Sequence, residues 1–334
     1  AYPATEDAIR DQFRADLDAN DGFAFRASGD AASVLANAAD ENVVRAESTA
    51  PFLAHACMEP MNATAHLVDG KLTLWAPTQV PGLAAMAAGA ATGIDRDTIE
   101  VHTTYLGGGF GRRGESDYAR YAAIMATHTD GRPVKVTWSR AEDTRHDMYR
   151  PAAVARMKAV VKKGEVPSAF HAKIAAPSIM QSVISRTLLS PPSPSPDRAT
   201  AEGMFDQPLD FEHVSVAAVH PDQTLPIGFW RSVGNSHNGF FNETFLDEIA
   251  HYAGTDPVEM RLKLMANYPT AQKCVEKVAA MSGWGRALPA GQGMGVAFTY
   301  SFGSWVAQVA KVTVTDEGVK MDNVWCAVDV GNAL

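Results

Sequence analysis

A glycine-rich segment between a predicted strand and a predicted helix constrains this chain more than any other feature of its sequence. Residues 105–118 read YLGGGFGRRGESDY, with four glycines directly before the adjacent arginines Arg112 and Arg113. Glycine loses more conformational freedom on folding than other residues, so a cluster of glycines indicates a sharp turn or a backbone that approaches another group closely. The paired positive charges suggest that this group is an anion.

Strand and helix patterns alternate around this loop. Apolar residues spaced four apart predict a helix over 5–19. Residues 62–78 form two alternating runs joined at Asp69-Gly70, as in a β-hairpin. An alanine-rich helix over 81–92 follows, and Ser116 is placed to cap the helix after the loop. These patterns predict an α+β fold with mixed α/β layers.

The second half of the chain shows the same mixture. Residues 213–220 read as a strand, and residues 242–254 read as a helix. The next helix has Asp256 as its cap, Pro257 in its first position and Glu259 to complete a capping box.

A proline- and serine-rich stretch lies between the halves and is typical of a surface loop or linker. We therefore divide the chain into a remnant of an upstream subdomain or helical connector, a first subdomain, a loop, and a second subdomain. The corresponding ranges are 1–42, 43–187, 188–200 and 201–334.

Composition excludes several classes of protein. A chain of 334 residues that is 46% hydrophobic can form a sizeable core, and its net charge of −9 argues against a general nucleic-acid binder. Cys57, Cys274 and Cys326 cannot supply the four thiolates of an ordinary iron–sulfur cluster. The longest apolar segment, 80–94, is too short to span a bilayer, so no transmembrane segment is predicted.

The glycine loop has three interpretations. Gly109, Gly111 and Gly114 match the G-x-G-x-x-G pattern of dinucleotide-binding folds. The preceding strand, however, alternates polar and apolar residues, and no acid ends the next strand, although Arg140 could still read the 2′-phosphate of NADP. A tight turn with solvent-facing arginines is a second interpretation. We favour a third, in which exposed N–H groups, the following helix and the arginines hold a phosphorylated cofactor.

A second segment, PIGFWRSVGNSHNGFF at 226–241, sets Trp230 and Arg231 just before a helix. An aromatic ring beside an arginine can stack on a planar heterocycle and hydrogen-bond to it. A core tryptophan beside a surface arginine would give the same pattern.

A third segment, residues 55–66, precedes a turn that contains Gln79. His55, Cys57 and Glu59 alternate along it. Residues of these types can ligate a metal, but on one strand they more often occupy one face of a sheet.

Together these segments resemble one protein family. MEPMNATA, WAPTQ, VHTTYLGGGFGRR, YRPAA and WRSVGNSHNGFFNETFLDEIA, in this order and at these spacings, resemble the large molybdenum-binding subunit of the xanthine dehydrogenase/aldehyde oxidase family. The double arginine and the WRSVGNS stretch resemble in particular the branch that contains the isoquinoline 1-oxidoreductase beta subunit. The resemblance runs from about residue 30 to the end of the sequence.

The resemblance implies a two-lobed molybdopterin-binding domain of the xanthine oxidase type. The implied cofactor is molybdopterin cytosine dinucleotide with molybdenum, which the pterin sulfurs ligate, so no protein ligand to the metal is expected. Gln79 would lie beside the oxo ligand of the metal, the glycine loop beside the pterin dithiolene, the two arginines near the cofactor phosphates, and Arg231 with its neighbours along the metal pocket. The implied cofactor-binding residues are Gln79, Gly108, Gly109, Phe110, Gly111, Arg112, Arg113, Trp230, Arg231, Ser232, Val233 and Gly234.

The implied activity is that of a molybdenum hydroxylase, which hydroxylates an N-heteroaromatic or aldehyde substrate with oxygen from water. Electrons would pass to a small subunit with two 2Fe–2S clusters, and a cytochrome c is a further candidate acceptor. The sequence leaves open whether the protein is cytoplasmic or periplasmic.

One family feature is missing from this sequence. Family members carry a catalytic glutamate, which acts as a base, in a Gly-Glu motif near the end of the large subunit. This chain ends at WCAVDVGNAL, which resembles a segment upstream of that motif. We therefore expect an interior fragment that is inactive alone, and we assign no catalytic residue. A cofactor-binding fragment without turnover of its own is the alternative function.

Overall fold

A computed structural model of the chain describes residues 5–187, 196–222 and 225–333. Its helices, in chain order, are α1 (Glu6–Ala19), α2 (Ala31–Asn37), α3 (Pro81–Thr92), α4 (Asp117–Ala126), α5 (Arg140–Arg145), α6 (Ile179–Thr187), α7 (Arg198–Ala201), α8 (Asn235–Ala253), α9 (Pro257–Leu264) and α10 (Pro269–Ser282). Its strands are β1 (Phe23–Ser28), β2 (Val43–Ala50), β3 (Asn62–Val68), β4 (Lys71–Ala76), β5 (Ile99–Thr103), β6 (Val134–Thr137), β7 (Ala153–Val160), β8 (Ala169–Ala175), β9 (His213–Val219), β10 (Gln292–Ser301), β11 (Ser304–Thr315) and β12 (Gly318–Asp329).

The largest sheet has five strands in the order β1-β9-β8-β7-β2. β8 and β9 are parallel, and the other neighbours are antiparallel. Since β8 precedes and β9 follows the predicted loop at 188–200, one sheet joins strands from both sides of that loop. Residues 188–195 lie outside the described residues, and the division of the chain at this loop stays a prediction.

Several elements were not predicted from the sequence, and two of them bear on the predicted division of the chain. The first is β1, which is an edge strand of this sheet inside the range predicted as a remnant or connector, and its six residues are too few to show a clear alternation. The second is α7, a single helical turn at the end of the predicted loop. Asp197 caps α7 by accepting a hydrogen bond from Ala199 N, a local signal that the surrounding prolines obscured.

A smaller sheet carries the strands and helices that flank the glycine loop. Its order is β5-β4-β3-β6, with β4 and β5 parallel. The predicted hairpin is confirmed, because β3 and β4 pair antiparallel and close at Asp69-Gly70. α3 and α4 pack on this sheet through small side chains, which allow a close approach. These fully buried side chains are Ala84, Ala88, Ala119, Ala122 and Ala123.

The main core lies between the five-stranded sheet, the helices α8 to α10 and the antiparallel sheet β10-β11-β12. Phe241 and Phe245 of α8 are fully buried, and Phe245 contacts Phe170 of β8. α8 begins at Asn235, seven residues before its predicted start. The first turn of the helix, Asn235 to Asn238, is polar and is followed by Gly239, so it carries no helical signal in the sequence.

Helix caps were predicted with partial success. Asp256 accepts hydrogen bonds from Val258 N and Glu259 N, which confirms the cap of α9, but the Glu259 carboxylate pairs with Lys263 and leaves the capping box half formed. Ser116 occupies the cap position of α4 without making a side-chain cap bond. In the ranges given above, none of the helices has the length and apolar composition needed to cross a membrane.

Candidate functional site

Three chain segments that are distant in sequence meet at the glycine loop. Gly111 N–H donates to Gln79 Oε1 at 3.0 Å, which joins the loop to the turn between β4 and α3. Arg231 N–H donates to Phe110 O at 2.9 Å, which joins the loop to the segment before α8. The structure therefore brings together Gln79, the glycine loop and Arg231, as the sequence motifs predicted.

Gln79 keeps a free donor at this junction. Its side chain is exposed, and the bond from Gly111 N–H requires the amide oxygen to face the loop. The amide NH₂ consequently faces away from that bond, and none of the described residues accepts a hydrogen bond from it. This donor is available to a bound group.

The backbone of the glycine loop also carries free donors. Within the described residues, the N–H groups of Gly108, Gly109 and Phe110 have no acceptor. Gly108, Gly109 and Gly111 are half-buried, and Phe110 is 39% exposed. Successive N–H groups that point out of a loop form a concave site for an anionic or electron-rich ligand.

Contacts within the chain explain two of the glycines. Gly111 has φ +102°, and a Cβ built on it would lie 1.8 Å from Phe229 O. A Cβ on Gly109 would lie 2.7 Å from Gln79 Oε1. Glycine at position 111 is therefore required by its contact with the backbone before α8, whereas a Cβ on Gly109 would have to displace the end of the Gln79 side chain.

Arg112 and Arg113 do not face solvent, which excludes the tight turn with exposed arginines. Their side chains are 1% and 0% exposed. Arg112 makes two hydrogen bonds to Asp117, at 2.9 and 2.8 Å, and Arg113 binds Glu59 Oε2 at 2.8 Å and Gly108 O at 2.7 Å. Both guanidinium groups thus attach the loop to neighbouring elements. Their contact with a cofactor stays a prediction.

Asp147 belongs to the same buried network and was missed from the sequence. Its Oδ1 lies 2.8 Å from His55 Nδ1 and 3.2 Å from Arg112 Nε. Burial raises the pKa of Asp147, but the hydrogen bonds from His55 and the charges of His55 and Arg112 outweigh it, so the pKa is lowered. Burial lowers the pKa of Arg112, but Asp117 and Asp147 outweigh it and raise the pKa. Both groups are therefore charged at neutral pH.

The alternative of a metal site at His55, Cys57 and Glu59 has no support in this geometry. The two ring nitrogens of His55 face Asp147 and Phe229 O, at 2.8 and 2.9 Å. Burial raises the pKa of the Cys57 thiol. In the part of the chain that the structure describes, no three His, Cys, Asp or Glu side chains form a group that could hold a metal ion.

The dinucleotide-binding alternative is also weakened. β5, the strand before the loop, is a short edge strand with most of its residues exposed, whereas that fold needs a buried central strand. Arg140, the candidate reader of a 2′-phosphate, instead donates to Asp143 and to the carbonyls of Cys57 and Met58.

The segment before α8 is strained and positively charged. Ser232 and Val233 have φ of 61° and 50°, and the left-handed region is costly for a β-branched residue. The exposed guanidinium of Arg231 lies 4.3 Å from the ring centroid of Phe110 and 5.5 Å from that of Trp230. Arg231 is therefore a cation that remains accessible beside the free donors of the glycine loop.

Buried polar atoms lie in this segment and in the first turn of α8. Trp230 Nε1, both ring nitrogens of His237 and Asn238 Oδ1 have no hydrogen-bond partner in the described ranges. Burial, with the nearby charge of Arg150, lowers the pKa of His237 to about 3, so the ring is neutral. Burial also raises the pKa of Glu202 to about 7, although a hydrogen bond from Gly234 N–H opposes this shift.

Comparisons with known proteins identify a family for this chain. Residues 16–265 match the family described as Molybdopterin cofactor-binding domain. The chain is 31% identical over 301 residues to the beta subunit of isoquinoline 1-oxidoreductase from Brevundimonas diminuta, which covers 87% of this chain and 38% of that protein. It is 26% identical over 243 residues to a nicotinate dehydrogenase subunit from Pseudomonas putida, which covers 70% of this chain and 20% of that protein.

Two solved structures share the fold. Quinoline 2-oxidoreductase from Pseudomonas putida 86 superposes with a TM-score of 0.65 at 19% identity, over 89% of this chain and 40% of that one. Aldehyde oxidoreductase from Desulfovibrio gigas superposes with a TM-score of 0.63 at 17% identity, over 88% of this chain and 34% of that one.

The chain therefore belongs to the molybdopterin cofactor-binding domain family, among the molybdenum-binding subunits of the xanthine dehydrogenase/aldehyde oxidase group, and the resemblance found in the sequence is confirmed. The predicted mixed α/β fold of the xanthine oxidase type is confirmed as well. The chain spans 38% and 20% of the length of the two relatives described above.

Proposed function

We propose that this chain is the cofactor-holding part of a molybdenum hydroxylase that acts on an N-heteroaromatic or aldehyde substrate. The observation that carries the proposal is the row of free N–H donors at Gly108, Gly109 and Phe110, placed between the free amide of Gln79 and the exposed Arg231. The names of the relatives, isoquinoline 1-oxidoreductase and nicotinate dehydrogenase, favour an N-heteroaromatic substrate.

The donors present fit a molybdenum cofactor in the cytosine dinucleotide form. The pterin carries sulfur, oxygen and phosphate groups, and these accept hydrogen bonds from backbone N–H groups. Gln79 NH₂ and the N–H groups of Gly108 to Phe110 would hold its head, and Arg231 would lie where an anionic group needs a cation. When bound, the molybdenum centre supplies two-electron oxidation with water as the oxygen source.

The buried arginines act on the cofactor through the loop in this proposal. Arg113 donates to Gly108 O and keeps that loop carbonyl turned inward, while Asp117 and Asp147 fix the guanidinium of Arg112 at the end of the loop. Holding Gly108 O inward favours an outward direction for the N–H of Gly109, which follows it in the loop. Arg112 and Arg113 are therefore positioning residues, with Trp230, Ser232, Val233 and Gly234 supporting Arg231 from the other side.

The proposed chemistry needs parts beyond this chain. The two glutamates nearest the loop are both engaged, Glu59 with Arg113 and Glu115 with Arg186 at 2.7 Å, so neither offers a free carboxylate as a base. The three cysteines are apart, and two of them are buried. We propose that electrons pass to a small subunit with two 2Fe–2S clusters and from there to an acceptor such as a cytochrome c.

Cofactor retention tests the proposal. The chain is produced in a molybdenum-replete host, purified, and analysed for molybdenum by mass spectrometry and for the nucleotide released by acid. We expect bound molybdenum with CMP, and we expect Arg231→Ala to lower the molybdenum content severalfold while Arg145→Ala, an exposed arginine on α5, leaves it unchanged. Equal retention by Arg231→Ala and wild type would contradict the site.

The paired state of Glu59 and Glu115 also favours the second candidate function, a cofactor-binding part without turnover of its own. Turnover with an artificial electron acceptor is measured on the isolated chain and again with the full-length large subunit. We expect activity only with the full-length protein. Saturable NADPH binding to the isolated chain would instead support the dinucleotide alternative.

A further inference from the structure

A separate cavity of about 370 Å³ lies between α3 and the start of α4. It is lined in part by Ala87 and Ala90 of α3, by Ser116 and Arg120 near the start of α4, and by Met148. Gln79, the glycine loop and Arg231 are not among its lining residues. Its size falls in the range of small-molecule sites.

Ser116 leaves a polar group without a partner at this cavity. The residue is 8% exposed, and its Oγ is buried with no hydrogen-bond partner among the described residues. It occupies the cap position of the ten-residue helix α4, yet its side chain does not cap the helix. A buried hydroxyl without a partner is costly, so an unpaired one that lines a cavity indicates an acceptor that comes from outside the chain.

The first turn of α4 adds donors at the same place. Within the described residues, the N–H groups of Asp117, Tyr118 and Ala119 have no acceptor. The partial positive charge of a helix start and its free N–H groups favour a bound anion. The unpaired Ser116 hydroxyl and the helix start thus point to the same kind of ligand.

Among the described residues that line the cavity, Arg120 is a cation without a carboxylate partner, whereas Arg186 and His146 both face a glutamate. Glu115 is paired with Arg186 at 2.7 Å, and Asp117 is paired with Arg112 by two hydrogen bonds. Arg120 has no carboxylate within ion-pair distance among the described residues, and its guanidinium lies 5.5 Å from the centroid of the Tyr121 ring. The polar end of the cavity is therefore positive once its acids are neutralised.

The opposite wall is apolar. Ala87, Ala90 and Ala91 of α3 form it, with Met148 and the ring of Tyr121 beside them. A bare inorganic anion would leave this wall in contact with water, whereas a ligand with an apolar body would cover it.

We propose that this cavity binds a small organic carboxylate, whose carboxylate group meets Ser116, Arg120 and the start of α4 and whose aromatic or aliphatic body lies on the alanines of α3. The inference does not depend on the molybdenum cofactor, because none of the residues assigned to that cofactor lines the cavity.

Calorimetric titration of the chain with benzoate tests this site, with benzamide and inorganic phosphate as parallel arms. We expect saturable binding of benzoate that is at least about tenfold tighter than that of benzamide or phosphate, because only benzoate has both the charge and the apolar body. Arg120→Met should weaken benzoate binding about tenfold and Ser116→Ala about fivefold. Arg132→Met, which removes an arginine outside the cavity lining, should bind benzoate as wild type does.

Stability without ligand gives a second readout. Since the Ser116 hydroxyl makes no hydrogen bond, Ser116→Ala should melt no lower than wild type while losing affinity for benzoate. Absence of saturable benzoate binding, equal binding by either cavity variant and wild type, or equally tight binding of benzamide or phosphate would each overturn the proposal.

Discussion

Replacing Gly111 by alanine tests whether contacts within the chain shape the glycine loop. A Cβ at this position would lie 1.8 Å from Phe229 O and 2.7 Å from its carbonyl carbon. Real Cβ atoms essentially never approach another atom closer than 3.0 Å, so the carbonyl must move by about 1.2 Å. The φ of +102° adds backbone strain for any residue with a side chain.

The expected loss follows from the bonds at that carbonyl. Phe229 O accepts from His55 Nε2 at 2.9 Å, and Arg231 N–H, two residues on, donates to Phe110 O. Losing one buried hydrogen bond costs about 1–3 kcal/mol, and the left-handed conformation costs about 1–2 kcal/mol. We therefore expect Gly111→Ala to lower the free energy of unfolding by about 3 kcal/mol.

Gly93→Ala is the matched control. Gly93 also has a positive φ, 74°, but a Cβ there would meet no atom within 4 Å, so only the backbone cost of about 1 kcal/mol remains. Urea unfolding followed by circular dichroism gives both free energies. If the two variants lose the same stability, the contact between Gly111 and Phe229 does not shape the loop.

Three further predictions follow from other contacts. Gly109→Ala should displace the Gln79 side chain. The double variant with Gln79→Ala should therefore lose less molybdenum than the sum of the losses of the two single variants, and simple additivity would contradict the contact. Arg261→Met should lower the free energy of unfolding by about 3–5 kcal/mol, because it leaves Glu243 buried without its 2.8 Å partner. Adding Glu243→Gln should restore part of this loss in the same urea assay, and no recovery would count against the pair. The pKa of Glu202 rises from 4.5 to about 7 on folding, so its protonated form stabilises the protein fully below pH 4.5, and this contribution, at most about 3 kcal/mol, is lost as pH rises to about 7. Glu202→Gln should therefore flatten the pH profile of the melting temperature over that interval. An unchanged profile would refute the assignment.

Local periodicity in the sequence was sufficient to predict much of the secondary structure. Ile9, Phe13 and Leu17, spaced four apart, are all buried in α1. α3 spans the predicted residues 81–92, and the hairpin closes at the predicted turn. These features depend on neighbours within one or two turns of chain, and such neighbours are visible in the sequence.

Gln79, the glycine loop and Arg231 meet in the structure, and the family resemblance had assigned all three to one cofactor. The assignment of these residues to cofactor binding remains the proposal made above. The sequence could not show that a Cβ on Gly109 or Gly111 would meet the chain itself.

The environment of the charges was decided only by the tertiary structure. Arg112 and Arg113 look like surface residues in the sequence, yet both are buried, because Glu59, Asp117 and Asp147 come from three different segments to neutralise them. The pairing of His55 with Asp147 spans 92 residues and leaves no periodic trace. A charge can be buried only where the fold supplies a partner, and partners distant in sequence are set by how the sheets and helices pack. The sequence by itself therefore determined local elements and the glycine loop, whereas the packing decided that both arginines are buried and paired with carboxylates.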